Sequence, residues 1–320
     1  MPTNDLPLEV QPYYFTKRNI LIVGATGLIG TQLYRIYKNE GHTIKILSTN
    51  AEFVVRNDYA YYWNVDEGIV DKRAFDDIDV IVNLAGAGIA DGLWTKKRKK
   101  LIYDSRVKGT KLLAESFLSL NKELKFYMGA SAVGFYGPNN NGEAKEESAP
   151  RGEGFLADVC ADWEEAHKLF ESVSGNFIIA RLSNVVAPAG GFMLPFLMAS
   201  KFGFRIYFGK HDHLVSWIHL EDAARFFSSV LYMDFKGTFN LVVESRQWTI
   251  MQNTIYDSLG DQLIRLTIPN KILKLMMGEM ASLMLDGNNA SGGKAEDFGF
   301  MIKHLDLRQT ILTTRGLYYQ

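Results

Sequence analysis

Over much of this chain, short runs of apolar residues alternate with segments in which apolar residues recur every three or four positions. Hydrophobicity is continuous within the short runs, which is typical of strands buried on both faces of a parallel sheet. The pattern predicts strands at residues 20–23, 43–47, 59–65, 79–84, 125–128 and 177–182, and helices at 28–39, 106–120 and 158–172. This alternation predicts an α/β fold with a doubly wound parallel sheet.

The first strand runs directly into a glycine-rich turn, Gly24–Gly30 (GATGLIG), and a helix follows. Such a turn uses its first glycine to leave the strand sharply, its second to let a pyrophosphate approach the backbone, and its third to pack the helix on the sheet. The pyrophosphate then lies on free N–H groups at the positive end of the helix. An ordinary strand-to-helix connection is the alternative, but the flanking strand and helix favour a dinucleotide site. The predicted cofactor contacts here are Gly24, Thr26, Gly27, Leu28, Ile29 and Gly30.

The regular alternation of strand and helix patterns ends after Val186, where residues 187–191 (APAGG) interrupt it. Helical and strand segments then follow one another in irregular order, with no internal repeat. We therefore expect three parts: an N-terminal extension at 1–18, a NAD(P)-binding Rossmann domain at 19–185 with a return near 214–245, and a smaller C-terminal α/β lobe, mostly on the substrate side, at 186–320.

The composition is that of a soluble globular protein, with 47% hydrophobic and 22% charged residues in a chain of 320. A net charge of −1 provides no field that would attract nucleic acid or an anionic membrane. Cys160 is the only cysteine, so no intramolecular disulfide can form, which fits a reducing compartment. Residues 1–18 do not resemble a signal peptide. We expect a cytoplasmic monomer or homodimer that acts on a small molecule, without nucleic-acid or membrane partners.

The spacing of the glycine turn resembles the extended, epimerase-like branch of the short-chain dehydrogenase/reductases. Residues 83–86 (NLAG) resemble the superfamily's Asn-x-Ala-Gly segment beside the cofactor, which adds Leu84, Ala85 and Gly86 as cofactor contacts. The stretch Gly86–Arg106 is similar to the atypical nucleoside-diphosphate-sugar epimerase-like family. Landmarks of that family follow at residues 163–166, 181–191, 195–196, 216–222, 239–241, 278–279 and 299–300. The resemblance implies an extended Rossmann domain joined to a C-terminal domain of unknown function.

The same resemblance raises a question about catalysis, because the superfamily uses a Tyr, a Lys four residues later, and a Ser or Thr. When Glu164 is aligned with the family's glutamate, Leu156 stands at the Tyr position and Cys160 at the Lys position. A leucine has no proton to exchange, and a cysteine thiol is not a fixed cation. The resemblance therefore implies cofactor binding more strongly than ordinary reductase chemistry.

Two nearby hydroxyl groups are the candidates to replace the missing pair. Ser131 follows the fifth predicted strand, one position before the family's usual offset from Tyr136, which here falls on Ala132. Tyr136 could supply a phenol, or it could be a structural tyrosine at the start of a loop. We predict Ser131 and Tyr136 as the catalytic residues.

The end of the second strand, residues 48–50 (STN), should read the adenosine ribose. No carboxylate is present there to select a 2′-hydroxyl, so we predict NADP in preference to NAD, with Ser48 and Thr49 as contacts. Thr49 departs from the Arg or Lys that the family often supplies for a 2′-phosphate, and Arg106 or Arg56 could compensate. Asp66 could approach the adenine, or it could be a turn residue at the end of a strand.

Other clusters favour structural interpretations. The run 96–100 (KKRKK) is best explained as a solvated helix face, and an anionic substrate is a better second choice for it than nucleic acid. His211 and His213 flank Asp212 in a predicted loop without metal-ligand spacing, so we expect no metal site. A structural hydrogen bond at a helix start suits His219, which is followed by Asp222.

Two functions remain open at this point. The first is an NAD(P)-dependent epimerase, dehydratase or reductase that acts on a small polar substrate with an altered acid–base group. The second is a non-catalytic protein that senses the nicotinamide cofactor. The missing Tyr and Lys favour the second, and the glycine turn is compatible with both.

Overall fold

The structure is a computed structural model that describes residues 16–138, 142–188, 190–209, 213–260 and 264–314. Most of the predicted N-terminal extension, residues 1–15, and His211 lie outside these ranges. The strands are β1 (Asn19–Val23), β2 (Thr43–Ser48), β3 (Ala60–Asn64), β4 (Ile69–Val70), β5 (Val80–Asn83), β6 (Leu124–Ala132), β7 (Ser174–Leu182), β8 (Asn184–Ala187), β9 (Gly190–Gly191), β10 (Phe204–Phe208), β11 (Leu214–His219), β12 (Gly237–Leu241), β13 (Glu244–Gln247) and β14 (Ile264–Ile268). The α-helices are α1 (Leu28–Asn39), α2 (Ala51–Arg56), α3 (Lys96–Leu118), α4 (Phe155–His167), α5 (Leu194–Lys201), α6 (Leu220–Ser229), α7 (Trp248–Leu259), α8 (Asn270–Met277), α9 (Ser282–Leu285), α10 (Gly293–Asp297) and α11 (Leu307–Thr314). Short 3₁₀ helices lie at Lys72–Phe75, Val133–Tyr136, Lys168–Val173 and Gly278–Ala281.

The large sheet has eight strands in the order β12-β7-β6-β5-β1-β2-β3-β4. Its strand pairs are parallel except β3–β4, which is antiparallel at the edge. Ile20 and Ile22 pack in the core that includes α1 and α6, whereas Leu21 and Val23 pack in the core that includes α3. Burial on both faces explains the continuous apolar runs. The predicted doubly wound α/β fold is confirmed.

Local capping moves several boundaries from their predicted places. Helix α3 begins at Lys96 and not at Arg106, because the Thr95 side chain accepts a hydrogen bond from the Arg98 N–H (3.2 Å) and caps the start. Its first turns have no apolar periodicity, and their Lys and Arg residues form helix through intrinsic propensity. The predicted helix 158–172 is instead α4 from Phe155 to His167, continued by a 3₁₀ helix.

The C-terminal part forms two smaller sheets with their own helices. One is four-stranded, in the order β13-β11-β8-β9, and the other is the parallel pair β10–β14. Within the predicted return, β12 joins the large sheet beside β7 and α6 packs on α1, whereas β11 and β13 belong to the four-stranded sheet. The domain boundaries stay a prediction. Among the described residues, no helix has the length and apolar character needed to cross a membrane.

Candidate active site

The glycine turn between β1 and α1 is closed by backbone contacts that only glycine permits. Gly24 has φ +88°, and a Cβ there would lie 2.9 Å from the backbone of Leu84 and of Ala85. A Cβ on Gly30 would lie 2.2 Å from the Gly24 oxygen, so this glycine sets the approach of the helix to the turn. Gly27 is different: its φ is −75°, and a Cβ there would meet only the Gly24 oxygen, at 3.3 Å.

The start of α1 is available to an anion. Gly27 is the N-cap residue, no side chain caps the helix, and the first turn holds no acidic residue. Thr26 and Gly27 are exposed, while Leu28 and Ile29 are half-buried. The β8–β9 hairpin lies over this start, since a Cβ on Gly191 would be 3.1 Å from Leu28 Cδ2. The positive end of the helix dipole is therefore left without a capping or acidic side chain beneath this hairpin.

The turn after β5 is shaped by Asn83. Its side-chain oxygen accepts from the Ala85 N–H (3.2 Å), and its Nδ2 donates to Thr110 Oγ1 on α3 (2.9 Å). Trp163 of α4 donates to the same Thr110 oxygen (3.0 Å), which ties both helices to this strand end. Leu84 and Ala85 thus lie directly beside Gly24, and their role as cofactor contacts stays a prediction.

At the end of β2, Ser48 is buried and its Oγ accepts from the Asn50 N–H (3.1 Å), whereas Thr49 is exposed. Helix α2, which was not predicted, starts directly afterwards, and the Arg56 side chain on it is exposed and paired with Glu52. Asp66 lies in the turn after β3, where its N–H donates to Asn64 Oδ1 (3.0 Å). That geometry is the one expected of a turn residue.

Helix α4 places Leu156 and Cys160 against the segment that follows β6. A Cβ on Gly134 would lie 3.6 Å from Leu156 Cβ and 3.7 Å from Cys160 Sγ. Burial raises the pKa of the Cys160 thiol to about 12, so the thiol stays protonated at neutral pH and cannot act as a nucleophile or as a fixed cation. These two positions provide no acid or base to the carboxyl end of β6.

Ser131 and Tyr136 are brought together, in a buried network centred on an ion pair. Ser131 Oγ donates to Glu164 Oε1 (2.6 Å), and Arg181 donates from Nε and Nη2 to the two oxygens of Glu164, both at 2.8 Å. Arg181 Nη1 donates to the Tyr136 hydroxyl (2.8 Å), which itself donates to Asn240 Oδ1 (2.7 Å). Both hydroxyl protons are therefore engaged inside the protein.

Sequence reasoning missed this network. Arg181, Glu164 and Asn240 were noted only as landmarks of the resemblance, and a buried Arg or Glu inside an apolar pattern was the signal that could have found them. Asn240 extends the network through its Nδ2, which donates to the carbonyls of Lys145 and Ser291 (both 3.0 Å). The pKa of Tyr136 is raised by burial, with Arg181 opposing the shift.

Arg106 lies at the turn after β5, on the far side of β1 from β2. Its Nη1 donates to the carbonyls of Ala87 (2.9 Å) and Ile102 (3.2 Å), so the side chain does not stand at the ribose-reading strand end. Part of the basic run is also engaged rather than solvated: Arg98 pairs with Asp91 (3.3 Å), and Lys99 pairs with Glu279 of the C-terminal part. Lys96 and Lys97 are exposed, as predicted for a solvated helix face.

His219 caps α6, its Nδ1 accepting from the Glu221 N–H (3.3 Å), while Asp222 accepts from the N–H groups of Lys303 and His304 (both 2.9 Å). The ligand atoms of His219, Glu221 and His304 lie within 4.8 Å of one another. The tautomer that makes the cap keeps its proton on Nε2, so a metal ion would have to displace both that proton and the cap. We therefore assign these residues to the helix start.

His167, on α4, is a buried neutral group that packs against β6 close to the Ser131 network. The Tyr127 hydroxyl donates to its Nδ1 (2.6 Å), its Nε2–H donates to the Ala130 carbonyl (3.0 Å), and burial lowers its pKa to about 4. Because the unfolded chain takes up this proton near pH 6.5, stability should be complete above that pH and fall by about 2–3 kcal/mol towards pH 4.5. Urea unfolding across this range should show a smaller pH dependence in His167→Gln. An identical pH dependence in the two proteins would contradict the assignment.

The chain is similar to known proteins along most of its length. The chain is 28% identical over 300 residues to an epimerase family protein of Mycobacterium bovis, a match that covers 92% of this chain and 98% of that one. It is 29% identical over 297 residues to the epimerase family protein YfhF of Bacillus subtilis, covering 90% and 95%. Among solved structures, the human epimerase family protein SDR39U1 (isoform 2) with NADPH superposes with a TM-score of 0.81 at 23% identity, covering 93% of this chain and 99% of that one.

The profile of the NAD dependent epimerase/dehydratase family matches residues 20–241. This segment extends from β1, ahead of the glycine turn, to the end of β12, the edge strand of the large sheet. With that match over more than half of its length, the chain belongs to the NAD dependent epimerase/dehydratase family.

Proposed function

We propose that this protein binds NADP(H) and acts on a small polar substrate at the carboxyl ends of β5 and β6. The observation that carries the proposal is the uncapped start of α1 behind Gly27, in a glycine turn whose Gly24 packs against Leu84 and Ala85. When bound, a nicotinamide cofactor supplies hydride transfer. The proposed cofactor contacts are those predicted from the sequence, except Arg106: the residues of the glycine turn, Ser48, Thr49, Asp66 and the turn 84–86.

The preference for NADP(H) rests on charge. No carboxylate follows β2 at residues 48–50, so a 2′-phosphate would meet no like charge there, and a 2′-hydroxyl would find no acidic partner. The human relative of similar fold was solved with NADPH, which supports the same assignment. Arg56 is occupied by Glu52 in a surface pair and would have to exchange partners to contribute.

Ser131 is the proposed proton-exchanging hydroxyl. It is the penultimate residue of β6 and lies beside the face of α4 that carries Leu156 and Cys160. Tyr136 acts with it through the shared Glu164–Arg181 pair. Ser131→Ala should lower turnover by at least about 100-fold and leave NADPH affinity nearly unchanged, since a positioned acid–base group contributes about 10²–10⁴-fold.

The assay follows NADPH oxidation or epimerisation over a panel of sugar nucleotides and small carbonyl compounds. Ser119→Ala, on the exposed end of α3, is the matched control and should keep full activity. Full activity in both Ser131→Ala and Tyr136→Phe on an identified substrate would show that the catalytic assignment is wrong.

A second candidate function is a cofactor sensor, and one observation favours it. The hydroxyl protons of Ser131 and Tyr136 are both donated inside the buried network, to Glu164 and to Asn240. Tight NADPH binding without turnover on any compound of the panel would favour the sensor over the enzyme.

A further inference from the structure

Arg106 is held in an unusual way for a cation close to a cofactor-binding turn. Its guanidinium packs on Gly86, where a Cβ would lie 2.8 Å from Cζ and 3.0–3.1 Å from Nη2 and Nε. Cζ lies 5.2 Å from the centre of the Trp163 ring, and Nη1 is anchored on the carbonyls of Ala87 and Ile102. The group is therefore fixed in orientation by its surroundings and not by a carboxylate.

Within the described ranges, Arg106 forms no ion pair, and its Nε and Nη2 donate to no protein acceptor. Arg181 shows the contrast, since both edges of its guanidinium are used by Glu164 and Tyr136. Burial lowers the pKa of Arg106, and the nearby Arg98 adds to the effect, yet a guanidinium remains charged in proteins. A partly buried positive charge without a counter-ion favours a negatively charged ligand.

The Nε/Nη2 edge of a guanidinium is a planar fork that matches the two oxygens of a carboxylate. Gly86 lies two residues beyond Leu84, whose backbone touches Gly24, and it follows β5, which β1 separates from β2 in the sheet. A ligand on this fork would therefore lie past the pyrophosphate position, towards Cys160 and Leu156 on α4. Such a position suits a substrate better than the cofactor phosphates.

We propose that Arg106 binds the carboxylate of the substrate, so that the substrate is a small carboxylic acid. The inference rests on the proposed function and narrows it from a small polar molecule to an anionic one. It also assigns Arg106 to the substrate, where the sequence predicted a contact to the cofactor.

The test uses the full chain saturated with NADPH and measures melting temperature with oxalate, malonate, succinate and citrate, each paired with its uncharged amide. At least one carboxylate should raise the melting temperature while its amide does not. Arg106→Gln should weaken that carboxylate by at least about tenfold, because a charge-assisted bidentate contact is lost. Arg73→Gln, which changes an exposed arginine paired with Asp71 and remote from the proposed site, should behave like the wild type.

NADPH binding, measured in the same proteins by calorimetry, separates the possible failures. If NADPH binds the wild type but no carboxylate raises the melting temperature, the proposal for Arg106 is wrong and the proposed function stands. If Arg106→Gln weakens NADPH itself by tenfold or more, Arg106 is a cofactor residue and the substrate assignment is overturned. Absence of NADPH binding to the wild type would overturn both.

Discussion

Gly27→Val is expected to abolish the stabilisation that NADPH gives to the wild-type protein, while the protein remains folded. A ligand at 100 times its dissociation constant stabilises the folded state by about 2.7 kcal/mol, which corresponds to a rise in melting temperature of about 5 °C or more for a chain of this size. The φ of −75° at Gly27 suits a valine, and the nearest obstacle, the Gly24 oxygen at 3.3 Å, needs to move only slightly. The added methyl groups would occupy the place of the pyrophosphate.

The neighbouring glycines define the controls. Valine at Gly30 would collide with the Gly24 oxygen (2.2 Å from Cβ), so that variant should fail to fold and cannot test binding. Gly293→Val is the matched control, because Gly293 is exposed and its Cβ would lie 3.6 Å from Ser291 Oγ. A normal NADPH response in Gly27→Val, measured by thermal shift, would exclude the glycine turn as the phosphate site.

Arg181→Met should destabilise the protein by about 3–5 kcal/mol, because it leaves the Glu164 carboxylate buried without its cation. Arg181 and Glu164 side chains are only 5% and 8% exposed, and the pair is bidentate at 2.8 Å. The melting temperature should fall by about 6–20 °C, and urea unfolding gives the free energy directly.

Lys168→Ala removes one partner of an exposed pair, with side chains 54% and 71% accessible, and should change stability by less than about 1 kcal/mol. If Arg181→Met cost no more than this control, the network would not be a structural centre of the fold. The hydroxyl groups of Ser131 and Tyr136 would then be freer for chemistry than their hydrogen bonds indicate.

Apolar patterning located the large sheet because strands buried on both faces leave a continuous signal. The bounds of α1 agree with its prediction, since a breaker lies at each end: the glycine turn before Leu28 and Gly41 after it. The predicted α3 starts too late in the sequence, because helix propensity and the Thr95 cap, and not apolar periodicity, set the start of this helix. The distribution of the C-terminal strands between sheets depends on pairing between distant segments, which a linear pattern does not contain.

The residues of the candidate site also divide into those that the sequence could predict and those that it could not. The glycine turn was predicted from local spacing and residues 84–86 from a resemblance, and the backbone contact between Gly24 and Leu84 places the two segments side by side. The Glu164–Arg181 pair joins α4 to β7, and Tyr136 adds the segment after β6, so its members meet only in three dimensions. The sequence predicted Arg106 as a cofactor contact, but its side chain faces the turn after β5 and not the ribose-reading end of β2.

The central claim is that the uncapped start of α1 binds a nicotinamide dinucleotide, and calorimetric titration of the wild-type protein with NADPH, NADP⁺, NADH and NAD⁺ tests it most directly. The account predicts saturable binding of one cofactor per chain, with NADPH at least tenfold tighter than NADH because residues 48–50 at the end of β2 carry no carboxylate. Tighter binding of NADH would contradict the cofactor preference. No heat of binding and no thermal shift with any of the four forms would contradict the claim itself.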